Sequence, residues 1–446
     1  MAVALEAKDA IEWSYKGEGG ANLILSYCGR SPQFVGKVLR VQKVPTNGSE
    51  CQSGHLGLTM HESHLWKDVK ELVSAPTREI AGHFFVQHVM RPLLGAKHVD
   101  AGVHIIVSRE FLETVEKNAF HVRPSWRVDA TKVNFLSSYA ILMPDHSTFP
   151  HVAPKEHCIC VEIKPKCGFV PSSEFILERN AVKRRTTRFK MHQTLKFVQG
   201  KISYISEYDP LDMFSGSKER LDKAMNDLLL TPQNNFRVFL DGSLIFGGLG
   251  GVAEPTTSKV CEALEDALKN IILAEEGMRT NCFLELISEA VLSSGVLNRL
   301  LEVQKLDVFD IEGAIHVYYN VISQPCMVCR ELGSGFSKRY DTLHSISMEE
   351  SGKILRDFLI ATTAKDLGVM ISFKLQEDGK GKSSYNHVSL KSTNQNFDYK
   401  VAFIDLDLKR LNKMEFYYEL DQKIVSSYLK MVNAESLSRM PQSDTP

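Results

Sequence analysis

No stretch of the 446-residue chain approaches the roughly 18 uninterrupted apolar residues that a bilayer-crossing helix requires, so a membrane-embedded activity is not expected. The opening residues, MAVALEAKDA, lack the basic start and long apolar run of a secretory signal, and the expected place is the cytoplasm, with the nucleus also open to it. Cysteine is sparse and odd in number. Nine cysteines scattered over a chain of this size read as mostly reduced thiols rather than a disulfide framework. A surplus of either charge is missing too: 53 lysines and arginines face 54 aspartates and glutamates. Neither nucleic acid nor an acidic membrane is therefore expected as the main partner, and any anion site must be local. No internal repeat is visible.

What is present is globular, with 43% apolar and 24% charged residues. The length exceeds one ordinary core, so two lobes with a ligand cleft between them are expected, in an α+β fold. Residues 1–145 read as a β-rich N-terminal lobe. Trp13–Tyr15, Asn22–Cys28 and Phe34–Val41 have strand patterning punctuated by Gly17, Gly19, Gly20 and Gly29, residues 45–57 form a polar loop, and His64–Ser74 forms one helix with Leu65, Val69 and Leu72 on a stripe. From about Ala140 strands alternate with longer helices, expected at Leu221–Leu229, Cys282–Leu306, Lys353–Ala364 and Lys409–Met431, which makes residues 146–432 an α/β lobe. Asp241-Gly242-Ser243 between Phe236–Leu240 and Leu244–Phe246 is a hairpin signal, and Met370–Phe373 and Val401–Leu406 read as buried strands. Glu377–Tyr385 and a tail from residue 433 to 446 are expected to be mobile.

Gly17-Glu18-Gly19-Gly20-Ala21-Asn22 falls between two expected strands, where glycine lets backbone amides approach a polyphosphate. The same residues also suit a plain hairpin turn, and the last glycine of G-x-G-x-x-G is missing. Lys37 and Arg40 point to opposite faces of the next strand, so at most one of them faces a nucleotide. After the expected strand Cys158–Val161, a period of two puts Glu162, Lys164 and Lys166 on one face. Two lysines projected together repel unless an anion lies between them, although a solvated strand end is the plainer account. Arg188, His192 and Lys196 recur every fourth residue and form a cationic stripe if residues 181–196 are helical; Lys409, Lys413 and Tyr417 repeat the pattern. Each stripe alone also fits a solvated helix face. Asn234, Asn235 and Arg237 suit planar recognition of phosphate oxygens, while turn initiation explains the asparagines equally well.

Asp405 lies in the apolar run Phe403–Leu406, where an unpaired carboxylate is costly and a magnesium ion would neutralise it; Asp366, at a helix end, is the candidate base. His316, Cys326, Cys329 and His344 carry the donor types of a closed tetrahedral zinc site of structural kind. Two buried thiols and two unrelated histidines remain the alternative, and a redox Cys-x-x-Cys is disfavoured if no helix starts at the first cysteine.

Taken together, GEGGAN at 17–22, EIKPKCGF at 162–169, RFKMHQ at 188–193, EYDPLDMFSGS at 207–217, TPQNNFRVFLDGS at 231–243, LEVQKLDVFDIEGAIH at 301–316, ATTAKD at 361–366 and FIDLDLK at 403–409 resemble the inositol-pentakisphosphate 2-kinases in their plant form, across nearly the whole chain. The resemblance implies transfer of the ATP γ-phosphate to the 2-hydroxyl of inositol 1,3,4,5,6-pentakisphosphate, giving phytic acid, by a monomer with a two-lobed fold distantly like protein kinases. It also implies that Gly17, Gly19, Gly20, Ala21, Asn22, Arg40, Asp145, His146, Glu162 and Arg237 meet the nucleotide, that Asp405 binds magnesium, that Lys164 bridges both substrates and that Asp366 lies near the attacking hydroxyl. Arg127, Lys166, Lys196, Asn234, Lys409, Lys413 and Tyr417 would hold inositol phosphates, and His316, Cys326, Cys329 and His344 the zinc. Two rivals stand beside this reading. One is a non-catalytic module binding an inositol phosphate or phosphoinositide head group; the other, a protein kinase, lacks its H-R-D and D-F-G signatures here.

Overall fold

Alternation of apolar with polar residues along the first 145 positions folds into a sheet of seven strands in the computed structural model, which describes residues 4–46, 57–149, 156–248, 255–333, 338–376 and 384–438. The strands are β1 (Ala4–Leu5), β2 (Trp13–Glu18), β3 (Asn22–Tyr27), β4 (Lys37–Pro45), β5 (Val103–Val107), β6 (Thr131–Val133) and β7 (Tyr139–Pro144). Their order is β1-β5-β7-β4-β3-β2, with β6 paired to the end of β4 and only β1–β5 parallel. Leu23 and Leu25, Leu39 and Val41, and Ile105 and Val107 turn to one face, where the Arg109–Ala119 helix lays Phe111, Leu112, Val115 and Ala119 on them. That helix starts where the Ser108 hydroxyl accepts the Phe111 amide. Each fully buried side chain of this kind contributes roughly 1.5–3 kcal/mol.

A second sheet of six antiparallel strands comprises β8 (Cys158–Ile163), β9 (Phe236–Leu240), β10 (Ser243–Phe246), β11 (Gly368–Leu375), β12 (Asn386–Leu390) and β13 (Gln395–Ile404), in the order β10-β9-β8-β11-β13-β12. The register aligns Val238, Val161, Ile371 and Val401 on one face and Phe239, Cys160, Ser372 and Lys400 on the other. The first face joins the large core built with the Lys218–Leu230, Arg279–Ser294, Asp310–Val321 and Met348–Ala364 helices. The second carries a small separate apolar cluster of Cys160, Phe239 and Met370. The expected hairpin forms, with Asp241 (φ 49°) and Gly242 (φ 83°) both left-handed, as a two-residue primed turn requires.

Several expected boundaries shift. The single helix expected over His64–Ser74 is two, Met60–Leu65 and Lys70–Val73. The N-terminal part also holds a run of helix from Arg78 to Leu94, with a π turn at Val86–Met90, besides the Arg109–Ala119 helix, so it carries more than the one helix expected. Cys282–Leu306 breaks at Gly295 (φ 62°) into Arg279–Ser294 and Val296–Gln304. Residues 181–196 are not one helix: Glu178–Arg184 is a 3-10 turn and the α-helix is Arg188–Val198, capped by Thr187. The C-terminal helix begins at Met414 and continues to Ser438, so the tail expected from residue 433 is helical for its first residues; 439–446 lie outside the described residues, as do 377–383 and 47–56. Among the described residues no helix is long and apolar enough to cross a membrane.

Candidate active site

Three neighbouring strand ends assemble the centre. β8 and β13 flank β11, and the pairings Ile163↔Val369 and Ile404↔Gly368 make β8 and β13 stop at the edge where β11 begins. Lys164 leaves β8, Asp366 precedes β11 and Asp405 follows β13, so residues over two hundred positions apart meet. Lys164 Nζ lies 2.6 Å from Asp405 Oδ2. Lys166 and Lys409 approach the two oxygens of Asp366 at 3.5 and 3.4 Å. Asp405 is not inside the strand as expected: β13 ends at Ile404, and Asp405 takes a left-handed conformation (φ 60°) that turns its carboxylate out, 44% exposed. Glu162 does not join the lysines either. Its register partner is Arg237, whose Nη1 bonds both carboxylate oxygens at 3.0 and 3.1 Å.

Both carboxylates reach solvent, and the desolvation that the surrounding protein imposes on their charge is outweighed by the cations beside them. Asp366 is held below the ordinary carboxylate range by Lys166, Lys409 and Lys164, and Asp405 by Lys164, Arg40 and Arg237. Lys166 shows the reverse balance: burial, with Lys164 and Lys196 nearby, lowers its ammonium to about 8 against the pull of Asp366. Lys196 is lowered by burial and by Lys201. His192 is pushed to about 3 by burial and by Lys196, Arg188, Lys166 and Lys201, and is neutral at pH 7.

Above it, β4 brings Arg40 rather than Lys37 into the site. Its guanidinium pairs with Asp407, and the Asn22 side-chain oxygen accepts from its Nε at 3.0 Å and Nη2 at 2.6 Å. The loop Gly19-Gly20-Ala21 closes β2 onto β3 through Gly19 N to Asn22 O at 2.9 Å, while Gly17 falls at the irregular step of the β2–β3 ladder. A Cβ added to Gly19 or Gly20 would meet nothing, so the space over the loop is open. Glu18, between these glycines, is buried against Lys43 and Arg123 and anchors the loop. Arg127 stacks on Trp126 at 4.1 Å, and its Nε is buried without a partner. At the link between the sheets, Asp145 takes Lys16 Nζ at 2.8 Å, and the His146 carbonyl accepts from the Ser372 hydroxyl and, at 3.5 Å, the Cys160 thiol.

The other expected residues divide between the Asp366–Asp405 centre and places away from it. Arg188 turns its guanidinium to Asp421, which also binds the buried Lys183. Lys413 is exposed and lies 6.0 Å over the Phe416 ring, and Lys409 and Lys413 both precede the C-terminal helix instead of forming a stripe with Tyr417 on it. Tyr417 is half-buried near Lys409 and Asp366, and burial raises its hydroxyl. Asn234 is exposed, whereas Asn235 is buried with both side-chain amide atoms unpartnered, and its backbone carbonyl accepts from Lys164 N at 2.8 Å. Asp407 and Lys16 escaped notice in the sequence. The Asp-Leu-Asp spacing at 405–407 carried the signal for Asp407; nothing local marked Lys16.

The second donor set also converges. His316 Nδ1 lies 3.3 Å from both Cys326 and Cys329 Sγ, and His344 Nε2 lies 3.2 Å from Cys329 Sγ. Donors around a tetrahedral zinc at about 2.0–2.3 Å sit roughly 3.3–3.8 Å apart, so these residues fit the ion. His344 directs Nδ1 at Asn320 Oδ1 (3.1 Å), which frees Nε2 to ligate, and the His316 ring stacks on Tyr340 at 3.8 Å. A short helix does start at Cys326, contrary to expectation, so the two histidines rather than its absence argue against a redox pair. A cluster of Asp310, Glu312 and Asp421 is already filled by the Lys183 ammonium.

The family model for inositol-pentakisphosphate 2-kinase matches residues 15–423. An inositol-pentakisphosphate 2-kinase of Arabidopsis thaliana is 51% identical over 450 residues, covering 100% of this chain and 99% of the relative. One of Oryza sativa subsp. japonica is 49% identical over 434 residues, 96% of each, and one of Danio rerio 29% identical over 493 residues, 96% of this chain and 95% of the relative. Sequence matches of this length, on a site whose strand ends gather lysines around two carboxylates, place the chain in the inositol-pentakisphosphate 2-kinase family, and it is an ATP-dependent kinase.

Proposed function

We propose that the chain transfers the γ-phosphate of ATP to the 2-hydroxyl of inositol 1,3,4,5,6-pentakisphosphate, giving inositol hexakisphosphate. The observation that carries this reading is the meeting of Lys164, Lys166 and Lys409 at Asp405 and Asp366. Five phosphates put about eight or more negative charges on a small ring, and only converging cations neutralise that density. Residues 1–145 form the nucleotide lobe and 146–432 the inositol-phosphate lobe of a distantly protein-kinase-like arrangement. Adenine lies against the Cys160–Phe239–Met370 cluster beside Asp145 and His146, with the phosphates under Gly17–Asn22 and reached by Arg40 and Arg237. Arg127, Lys166, Arg188, His192, Lys196, Asn234, Asn235, Lys409, Lys413 and Tyr417 hold the ring phosphates.

Phosphoryl transfer is mostly positioning and charge stabilisation. Lys164 lies beside the carboxylate proposed for the metal, which suits it to bridge both substrates and draw charge off the transferring group. Asp366, ionised and pinned by two lysines, is a weak base; it orients the 2-hydroxyl and takes its proton late, as bonding to phosphorus acidifies it. The Asp405 carboxylate, with Asp407 beside it, would hold magnesium, which would supply charge neutralisation for the nucleotide phosphates. Zinc at His316, Cys326, Cys329 and His344 is structural. The protein acts as a monomer in the cytoplasm or nucleus.

Replacing Lys164 or Asp405 by alanine is expected to lower kcat by about a thousandfold or more while the fold survives, since both side chains lie at the site rather than in a core. Steady-state rates with circular dichroism on each variant check this, and a folded variant with near-normal rates contradicts the assigned role.

A further inference from the structure

Near His146 a cavity of about 520 Å³ opens between the Arg91–Leu94 helical turn, β5 and β13. Its volume is that of a small-ligand pocket. Arg91 and Lys97 stand at its exposed rim, and Lys400 is half-buried within it. Among the described residues none of the three is paired with a carboxylate, whereas Lys164, Lys166, Lys409, Arg40 and Arg237 each have one. Asp100, the one carboxylate lining the cavity, turns Oδ1 to the Gly102 amide at 2.7 Å. Nε2 of His104 and Nε2 of His146 are buried without hydrogen-bond partners. Burial lowers both rings to about 4, so at pH 7 they are neutral and each carries a single N–H.

We propose that this cavity is a second ligand site, taking a small phosphorylated metabolite of about the size of a sugar phosphate. Cations without a carboxylate partner around one space, Lys400 leaning only on the Phe149 ring at 5.8 Å, call for a ligand rich in acceptor oxygens. A phosphate presents three of them from one centre, and can meet Lys400 and a rim cation together. The site also touches the nucleotide path. Lys400 stands in the cross-strand row Lys400–Ser372–Cys160–Phe239, and Ser372 and Cys160 both donate to the His146 carbonyl. An occupant held by Lys400 therefore bears, through that row, on the segment that flanks adenine, and shifts the KM for ATP; this consequence rests on the kinase reading above, while binding itself does not.

The test titrates glucose 6-phosphate into the full chain by calorimetry, once alone and once with saturating ADP, magnesium and inositol hexakisphosphate to fill the reaction centre. Binding is expected in both arms, absent with glucose, weaker with citrate, and reduced by about tenfold or more in Arg91→Gln/Lys97→Gln and in Lys400→Gln. No binding, tighter binding of citrate, loss of binding when the reaction centre is filled, or an affinity that the variants leave unchanged would each overturn the proposal. Failure of the kinase reading shows elsewhere, as no inositol hexakisphosphate formed, and leaves the first arm interpretable.

Discussion

At the end of β8, Lys166 sits near Lys164 and Lys196 with the Asp366 carboxylate 3.5 Å away as its ion-pair partner. Its ammonium, lowered by burial to about 8, titrates below the ordinary lysine value of about 10.4. Between those two values the unfolded chain binds more protons at this position than the folded one, so this group makes the ligand-free protein more stable as pH rises through that window. Binding has the opposite sign, because a ring phosphate needs the charged form. At pH 8 inositol pentakisphosphate should therefore take up protons as it binds, and its KM should rise above pH 8. Calorimetry in two buffers of different ionisation enthalpy measures the uptake. Lys166→Arg should abolish that component while retaining binding; an unchanged uptake would assign the proton elsewhere.

Elements place these residues, and the C-terminal and zinc-bearing helices do so through buried polar nodes. Lys183, almost fully buried, meets Asp310, Glu312 and Asp421 and so ties residues 178–184 to the Asp310–Val321 and C-terminal helices; Asp421 in turn holds Arg188. Lys183→Met leaves buried carboxylates uncompensated, and a loss of about 3–5 kcal/mol is expected in denaturant unfolding at neutral pH. Burial raises Asp310 to about 6, above its unfolded value, so the stability it contributes is full at acid pH and fades as pH rises through 6. The variant should thus be less impaired at pH 5 than at pH 7; an equal or larger deficit at pH 5 would sink this account of the node. For the zinc donors, Cys326→Ser is expected to drop bound zinc from one equivalent to near zero and to lower Tm by several degrees, measured by elemental analysis and melting. A zinc-free native protein with the same Tm would leave only two thiols and two histidines.

Some of this was legible at the level of residue pattern. Period-two alternation marked β3 and β4, the Asp241-Gly242 turn marked the β9–β10 hairpin, and the Cys-x-x-Cys with its histidines marked the second donor set. The helix from Arg78 to Leu94 was missed although Ala81, Phe85 and Val89 repeat every fourth residue in it. Strand ends were harder: β13 looked continuous to Leu406, and only the pairing of Ile404 with Gly368 shows why it stops before Asp405. Pairings between distant charges, such as Lys16 with Asp145, Arg40 with Asp407 and Arg188 with Asp421, depend on how the sheets and helices meet and have no local signature.

Over the whole molecule the charge is almost zero, yet cations from β4, the end of β8, the 188–198 helix and the segment before the C-terminal helix gather where β8 and β13 end and β11 begins. Many of them are neutralised by the protein's own carboxylates, Asp366, Asp405, Asp407 and Asp421. Substrate phosphates must displace or supplement these pairings, which favours a ligand with many charges over one with few. Specificity then follows from the number of phosphates that reach a cation at once. The most direct test incubates the purified chain with magnesium ATP and a panel of inositol phosphates, separates the products, and locates the new phosphate by NMR. The account predicts fastest turnover of inositol 1,3,4,5,6-pentakisphosphate to the hexakisphosphate with the phosphate on the 2-hydroxyl; transfer to another position, or ATP hydrolysis with no phosphorylated inositol formed, would contradict it.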